Sequence, residues 1–133
     1  MKVFLDTNVV VSALATRGLC ADLFHVILAE HELVLGETVL GEVQSVLRRK
    51  LRVPAHTVEE VVAHFRRLAT VVKAEEERRF KGLDKADSAV VAEGVAGEAD
   101  LLVSGDQDLL QLTDPPVRIV SPRGLWDDLR RAT

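Results

Sequence analysis

Asp6, Glu42, Asp87 and Asp106 are acids placed where a strand ends or where an amphipathic helix turns an apolar face inward. Carboxylates gathered in one crevice are the ligand type of hard divalent cations, which polarise phosphate oxygens and activate water. Two carboxylates about 4 Å apart repel by about 4 kcal/mol at an effective dielectric near 20. A group of them stays ionised only with a cation between. Oxygen-only ligands suit magnesium or manganese. His25, His31, His56 and His64 show no His-x-x-x-His or Glu-x-x-His spacing near the acids, and the lone Cys20 excludes a thiolate zinc cage. Ser12, Ser45, Ser88, Ser104 and Ser121 lack a histidine–acid pattern, which disfavours a serine nucleophile.

Each acid has a local context. Asp6 ends the strand-like run Met1-Lys2-Val3-Phe4-Leu5, and Asp106 follows Leu101-Leu102-Val103-Ser104-Gly105, with Asp108 two residues on. In an open parallel sheet, ligands bind outside the carboxyl ends of the strands, near the point where strand order reverses. Read alone, Asp6 or Asp106 fits equally well as a cap for the helix that follows. Glu42 lies three residues after Val39 and four before Val46, at the border of the stripe Val39, Val43, Val46 and Leu47. A surface glutamate at a stripe edge is the alternative. Asp87 precedes Val90 and Val91 by three and four residues, which places it over the inward face of a helix in its first turn. A charge aimed at a core needs a partner. Asp84 is expected to cap that helix, leaving Asp87 to point into the crevice.

The elements that must position these residues follow from periodicity. Strand-like runs fall at 2–5, 33–35, 70–72, 101–104 and 118–120, with helical patterns at 8–14, 20–30, 37–50, 57–69, 87–96 and 122–131. Short apolar strands alternating with helices predict parallel strands joined by right-handed crossovers. The expected fold is a three-layer α/β/α sandwich over 1–133, one domain, with a central, mostly parallel sheet of four to five strands. The polar stretch from Ala74 to Gly82 reads as an exposed connection, and Pro115-Pro116 as a break.

Composition agrees with one compact domain: 133 residues, 47% hydrophobic and 29% charged. The single cysteine, the absence of a leader pattern and the absence of an apolar run of about 18 residues predict a soluble, cytoplasmic protein with no membrane span. A net charge of -4 argues against a generally basic nucleic-acid coat. Local charge differs: Arg48, Arg49, Lys50 and Arg52 form one basic run, and Arg78, Arg79, Lys81 and Lys85 lead into Asp87. Base around an acidic crevice is the pattern expected of a phosphate-gripping rim; solvated helix faces are the plainer reading of any one of these side chains.

Four pieces of the chain carry a family resemblance: Val3-Phe4-Leu5-Asp6-Thr7-Asn8; Glu42 within Val39-Leu40-Gly41-Glu42-Val43-Gln44-Ser45-Val46-Leu47; Asp87-Ser88-Ala89-Val90-Val91-Ala92; and Ala99-Asp100-Leu101-Leu102-Val103-Ser104-Gly105-Asp106-Gln107-Asp108-Leu109-Leu110. In this order and spacing they resemble the PIN-domain family of metal-dependent ribonucleases, particularly the VapC-like toxin components of bacterial and archaeal toxin–antitoxin pairs. The resemblance spans nearly the whole chain. It implies Asp6, Glu42, Asp87 and Asp106 as catalytic, metal-binding acids, Asp108 as an accessory ligand, and Thr7, Asn8 and Ser104 as groups orienting Asp6, Asp106 or a water. It further implies magnesium- or manganese-dependent RNA phosphodiester hydrolysis leaving 5′-phosphate and 3′-hydroxyl ends, a homodimer, and an antitoxin covering the acids, with an arginine inserted among them. This chain departs from many relatives in carrying Leu109 for a phenylalanine, Val90-Val91 for isoleucine-alanine, and Lys85 for the proline of an Asp-Pro-x-Asp stretch.

Aromatic content of 4% with no tyrosine makes a broad base-stacking platform improbable, so phosphate contacts from the two basic runs are expected to supply the grip on RNA. The helix-rich stretch from Cys20 to Ala69 and Trp126 are candidates for a dimer contact, with ordinary core the other reading of Trp126. Two competing functions remain: a catalytically silent RNA- or protein-binding module, and a phosphoryl-accepting receiver- or phosphatase-like protein. The acid set disfavours the first, and the lack of a signature lysine near Asp106 disfavours the second.

Overall fold

In the computed structural model, which describes residues 1–132, the chain starts in the middle of its own sheet. The order of elements is β1 (Lys2–Leu5), α1 (Thr7–Ala15), α2 (Leu19–Glu30), β2 (Glu32–Gly36), α3 (Glu37–Arg49), α4 (Ala55–Leu68), β3 (Thr70–Val72), α5 (Lys85–Ala96), β4 (Leu101–Val103), α6 (Gln107–Leu110), β5 (Arg118–Val120) and α7 (Pro122–Arg131). The five strands are ordered β3-β2-β1-β4-β5 and every pairing is parallel. Helices flank the sheet, with both α2 and α5 packed on β2.

Strands covered on both faces have no solvent side, so they carry continuous apolar runs. Phe4 pairs with Val34 on one side and Leu102 on the other, and all three are fully buried. The chain runs outward from β1 through β2 to β3, then returns to lay β4 against the opposite edge of β1. Strand order therefore reverses between β1 and β4, and the loops leaving those two strands diverge to open a crevice. Asp6 and Asp106 sit on those loops.

Several predicted boundaries move by a residue or two because capping chemistry sets them. Asp84 accepts from the Asp87 N–H at 2.8 Å and caps α5, so the helix starts at Lys85 instead of Asp87. α6 is absent from the periodicity because four residues are too few to show a period. It forms because Asp106 accepts from the Asp108 N–H at 2.8 Å. Among the described residues, no single helix is long and apolar enough to cross a membrane.

α3 has no side-chain cap of its own at Gly36; a carboxylate from another helix serves instead. Glu93 of α5, only 2% exposed, accepts from the Thr38 N–H through Oε1 at 3.1 Å and Oε2 at 3.2 Å. The bond ties the helix that carries Asp87 to the start of the helix that carries Glu42. Burial raises the Glu93 pKa, partly opposed by these hydrogen bonds. Gly36 is needed there because a Cβ would lie 2.8 Å from Glu93 Cδ. We therefore expect Gly36→Ala and Glu93→Ala each to destabilise the protein, Glu93→Ala by about 2 kcal/mol through the Thr38 N–H it strands. In the double variant the clash is gone, so chemical denaturation should show a cost below the sum of the singles; strict additivity would refute the contact.

Candidate active site

Asp6 is held more tightly than any other acid at the carboxyl edge of the sheet. Its Oδ1 accepts from the Thr7 N–H at 2.8 Å, capping α1, while Oδ2 accepts from Ser104 Oγ at 2.6 Å and from Asn8 Nδ2 at 3.3 Å. Ser104, fully buried, in turn accepts from the Asp106 N–H at 3.0 Å. Asn8 Oδ1 accepts from the Gly105 N–H at 3.1 Å. The loops after β1 and β4 are thus stitched together by the side chains of Asp6, Asn8 and Ser104. Capping and crevice-facing are not alternatives for Asp6 and Asp106: each does both, since one carboxylate oxygen suffices for a cap.

Asp6, Thr7, Asn8, Glu42, Asp87 and Asp106 line one crevice of about 530 Å³, with Val11, Ser12, Ala15, Thr16 and Val46 completing its wall. Within the acid group the closest set is Asp87, Asp106 and Asp108, each of which offers a carboxylate oxygen within 4.8 Å of the others. Asp6 stands behind them at 6% exposure. Glu42 reaches the crevice from the side, off α3.

Among the described residues, no lysine or arginine lines this crevice. Burial is the first reason the Asp6 and Glu42 pKa values rise; Asp106 adds to the first by repulsion, Asp6 and Asp87 to the second. Asp87 is pushed up to about 6, by burial first and then by the negative charges of Asp84, Asp106, Asp6 and Asp108. The Thr7 hydroxyl is buried beside Glu42, and its hydrogen bonding to that carboxylate partly opposes the rise in the Glu42 pKa. Clustered acid with no lysine or arginine in its lining fits a divalent ion.

The predicted basic residues divide. Arg48 and Arg49, in the last turn of α3, line a recess with Gly41, Gln44 and Ser45, on the same helix as Glu42. Lys50 and Arg52 are exposed just beyond that helix. Lys81 lies with Asp108 in another recess. Arg78 and Lys85 are not at the crevice; they line a separate recess with Thr38 and Glu93, where Arg78 covers the Phe80 ring at 4.9 Å and Lys85 faces Glu77 at 4.0 Å. Arg79 is exposed. Trp126 is half-buried and packs against the core.

Sequence reasoning overlooked Glu93, although a glutamate within Val90-Val91-Ala92-Glu93-Gly94-Val95 was a visible anomaly: a charge in a run otherwise bound for the core. It also ranked Asp108 below the others. Spacing alone does not reveal that α6 turns Asp108 back toward Asp87.

A family model described as PIN domain matches residues 2–108. No curated protein matches the chain in sequence. Among solved structures, the chain is similar to a chain of VapBC2 from Rickettsia felis bound to a DNA fragment from its promoter, at 13% identity and TM-score 0.68, covering 91% of this chain and 98% of that one. It is similar to a chain of DNA-bound VapBC from Salmonella typhimurium at 14% identity and TM-score 0.66, covering 92% and 98%. It also resembles VapC20 from Mycobacterium tuberculosis, described as a sarcin–ricin loop cleaving toxin, at 17% identity and TM-score 0.54, covering 84% and 97%.

The electrostatics make a pH prediction for the metal-free protein. The folded-state pKa of Asp87, about 6, lies above its ordinary 3.8, so the native state binds the proton more tightly than the unfolded chain. Ionised Asp87 therefore penalises folding above about pH 6, and the penalty fades as pH falls toward 4. In chelator, the Tm should rise as pH is lowered from 7.5 to 5.5. Asp87→Asn should raise the Tm at pH 7.5 and flatten the slope; a slope unchanged in Asp87→Asn would contradict this electrostatic picture.

Proposed function

The chain belongs to the PIN-domain family, and from that premise we propose that it is a magnesium- or manganese-dependent endoribonuclease acting as the toxin of a toxin–antitoxin pair. The observation that carries this reading is the crevice itself: acids from β1, α3, α5 and the β4–α6 turn converge where no lysine or arginine neutralises them. A multivalent cation would offset such a set, and a carboxylate-held cation that leaves ligand positions for water and phosphate is the equipment of phosphodiester hydrolysis.

In this mechanism Asp87, Asp106 and Asp108 hold the ion, with Asp6 and Glu42 completing the negative wall. An ion held there would supply Lewis acidity for activating water and stabilising charge on a phosphate. Ser104 and Asn8 fix the rotamer of Asp6, and the Ser104 Oγ contact to the Asp106 N–H sets the loop that carries Asp106. Thr7 Oγ1, buried beside Glu42, steadies that carboxylate at the crevice wall. Arg48, Arg49, Lys50 and Arg52 extend a basic tract from α3 and grip flanking phosphates, with Lys81 on the opposite side next to Asp108.

A partner that silences the enzyme has an evident target, because a basic side chain placed among these carboxylates neutralises them as the ion does. The resemblance to chains from VapBC assemblies supports an antitoxin partner; a homodimeric, cytoplasmic toxin belongs to the same proposal.

Labelled RNA incubated with the protein and Mg2+ or Mn2+ should be cut, chelator should stop the cutting, and Asp106→Asn or Asp87→Asn should slow it by roughly 100-fold or more. RNA that is bound yet never cut would leave a silent binding module in place of the nuclease. Arg48→Ala with Arg49→Ala should weaken binding and shrink the slope of log affinity against log salt by roughly 1.4, about 0.7 per phosphate contact on a single strand. An unchanged slope would remove α3 from the RNA path.

A further inference from the structure

On the far side of Asp108 lies a second recess, of about 560 Å³, that the metal chemistry does not use. Its apolar wall is Phe80 and Leu112, and its polar groups are Lys81, Gln111 and Thr113. Asp108 is common to the recess and to the carboxylate cluster. Neither the Gln111 amide nor the Thr113 hydroxyl is engaged with any described residue, so donors and acceptors of a side-chain amide and a hydroxyl are left for a ligand.

The wall is built, not a loose edge. The Phe80 N–H donates to Ser88 Oγ at 3.1 Å, fastening the connection to α5 one residue from Asp87, and the Leu83 N–H donates to the Phe80 carbonyl at 3.1 Å. Gly82 closes that turn at φ +89, a conformation glycine adopts without a Cβ penalty. One face of the Phe80 ring is already covered by the Arg78 guanidinium, which holds the ring in place. Position relative to the cluster is therefore fixed through two elements, α5 by way of Ser88 and α6 by way of Asp108.

We propose that this recess is a nucleobase subsite: it receives the base of the nucleotide next to the phosphate engaged at the Asp87, Asp106 and Asp108 cluster, and reads its edge through Gln111 and Thr113. The inference rests on the nuclease reading and deepens it by naming where base preference arises. Apolar walls with a few unspent polar groups are the composition of a base pocket, and this one adjoins the carboxylate cluster through Asp108. Lys81 at the rim carries the charge that a neighbouring phosphate needs. The chain thus engages one base closely in place of the broad stacking platform that its low aromatic content excludes.

The test is an abasic walk. A short labelled RNA carries one abasic site moved stepwise along the strand, and its affinity is measured by fluorescence anisotropy with Ca2+ in place of Mg2+. For the wild-type chain one position should stand out, losing about tenfold in affinity when its base is removed, within the range of a single base contact. In Gln111→Ala, an exposed position whose loss should leave folding intact, and in Phe80→Leu, which keeps an apolar side chain, that loss should shrink below about twofold. A flat profile in the wild type, or the same tenfold loss in both variants, overturns the proposal. Cleavage by the wild type in Mg2+ is scored separately. RNA that is cut with a flat abasic profile sinks the subsite alone, and a base-specific profile without cutting sinks the nuclease reading alone.

Discussion

The hydroxyl of Ser104, donating to Asp6 at 2.6 Å and accepting from the Asp106 N–H at 3.0 Å, joins the two loops that the sheet forces apart. A parallel sheet that begins in its middle strand must open where its connections diverge, and here the divergence is between β1 and β4. An open crevice would ordinarily fill with water and leave its side chains free to rotate. Instead a buried serine and the Asn8 amide oxygen, which accepts from the Gly105 N–H, bind both rims into one frame, with the acids projecting from it. Everything chemical in the molecule inherits its geometry from that frame.

The frame carries a cost. Asp6, Glu42 and Asp87 all resist ionisation in the folded protein because burial and their neighbours' charges oppose it. Proteins that gather like charge in this way spend stability gained elsewhere, and here the source is the apolar sheet and the helices packed on it, where Phe4, Val34, Leu102 and Val91 are fully buried. An ion at the cluster reverses the sign of that local cost, which links ligand occupancy to stability as well as to chemistry. The same physics would favour any cationic group placed among these carboxylates.

Distribution of the opposite charge is equally ordered. Basic residues stay off the crevice itself; Arg48 and Arg49 lie one helical stretch away along α3, and Lys81 flanks Asp108 on the other side. Placing them closer would neutralise the carboxylates that the ion requires. Glu93 gives this arrangement its rigidity, since it clamps α3 to α5 and so fixes Glu42 relative to Asp87 without itself entering the crevice.

By itself the sequence determined the strands and most of the helices, because apolar periodicity is a local property: Lys2–Leu5, Thr70–Val72, Arg118–Val120 and Pro122–Arg131 fall where the pattern places them. It also placed Asp6 and Asp106 just past strand ends, where they stand. Tertiary structure alone decided which acids meet. Asp87, Asp106 and Asp108 come from two segments nearly twenty residues apart in the chain, and their proximity depends on a four-residue helix too short to leave a periodic trace. The burial of Glu93, the separation of Arg78 from the crevice and the recess between Phe80 and Gln111 were likewise settled by packing between elements, because contacts across an interface depend on rotation and register that no single segment encodes.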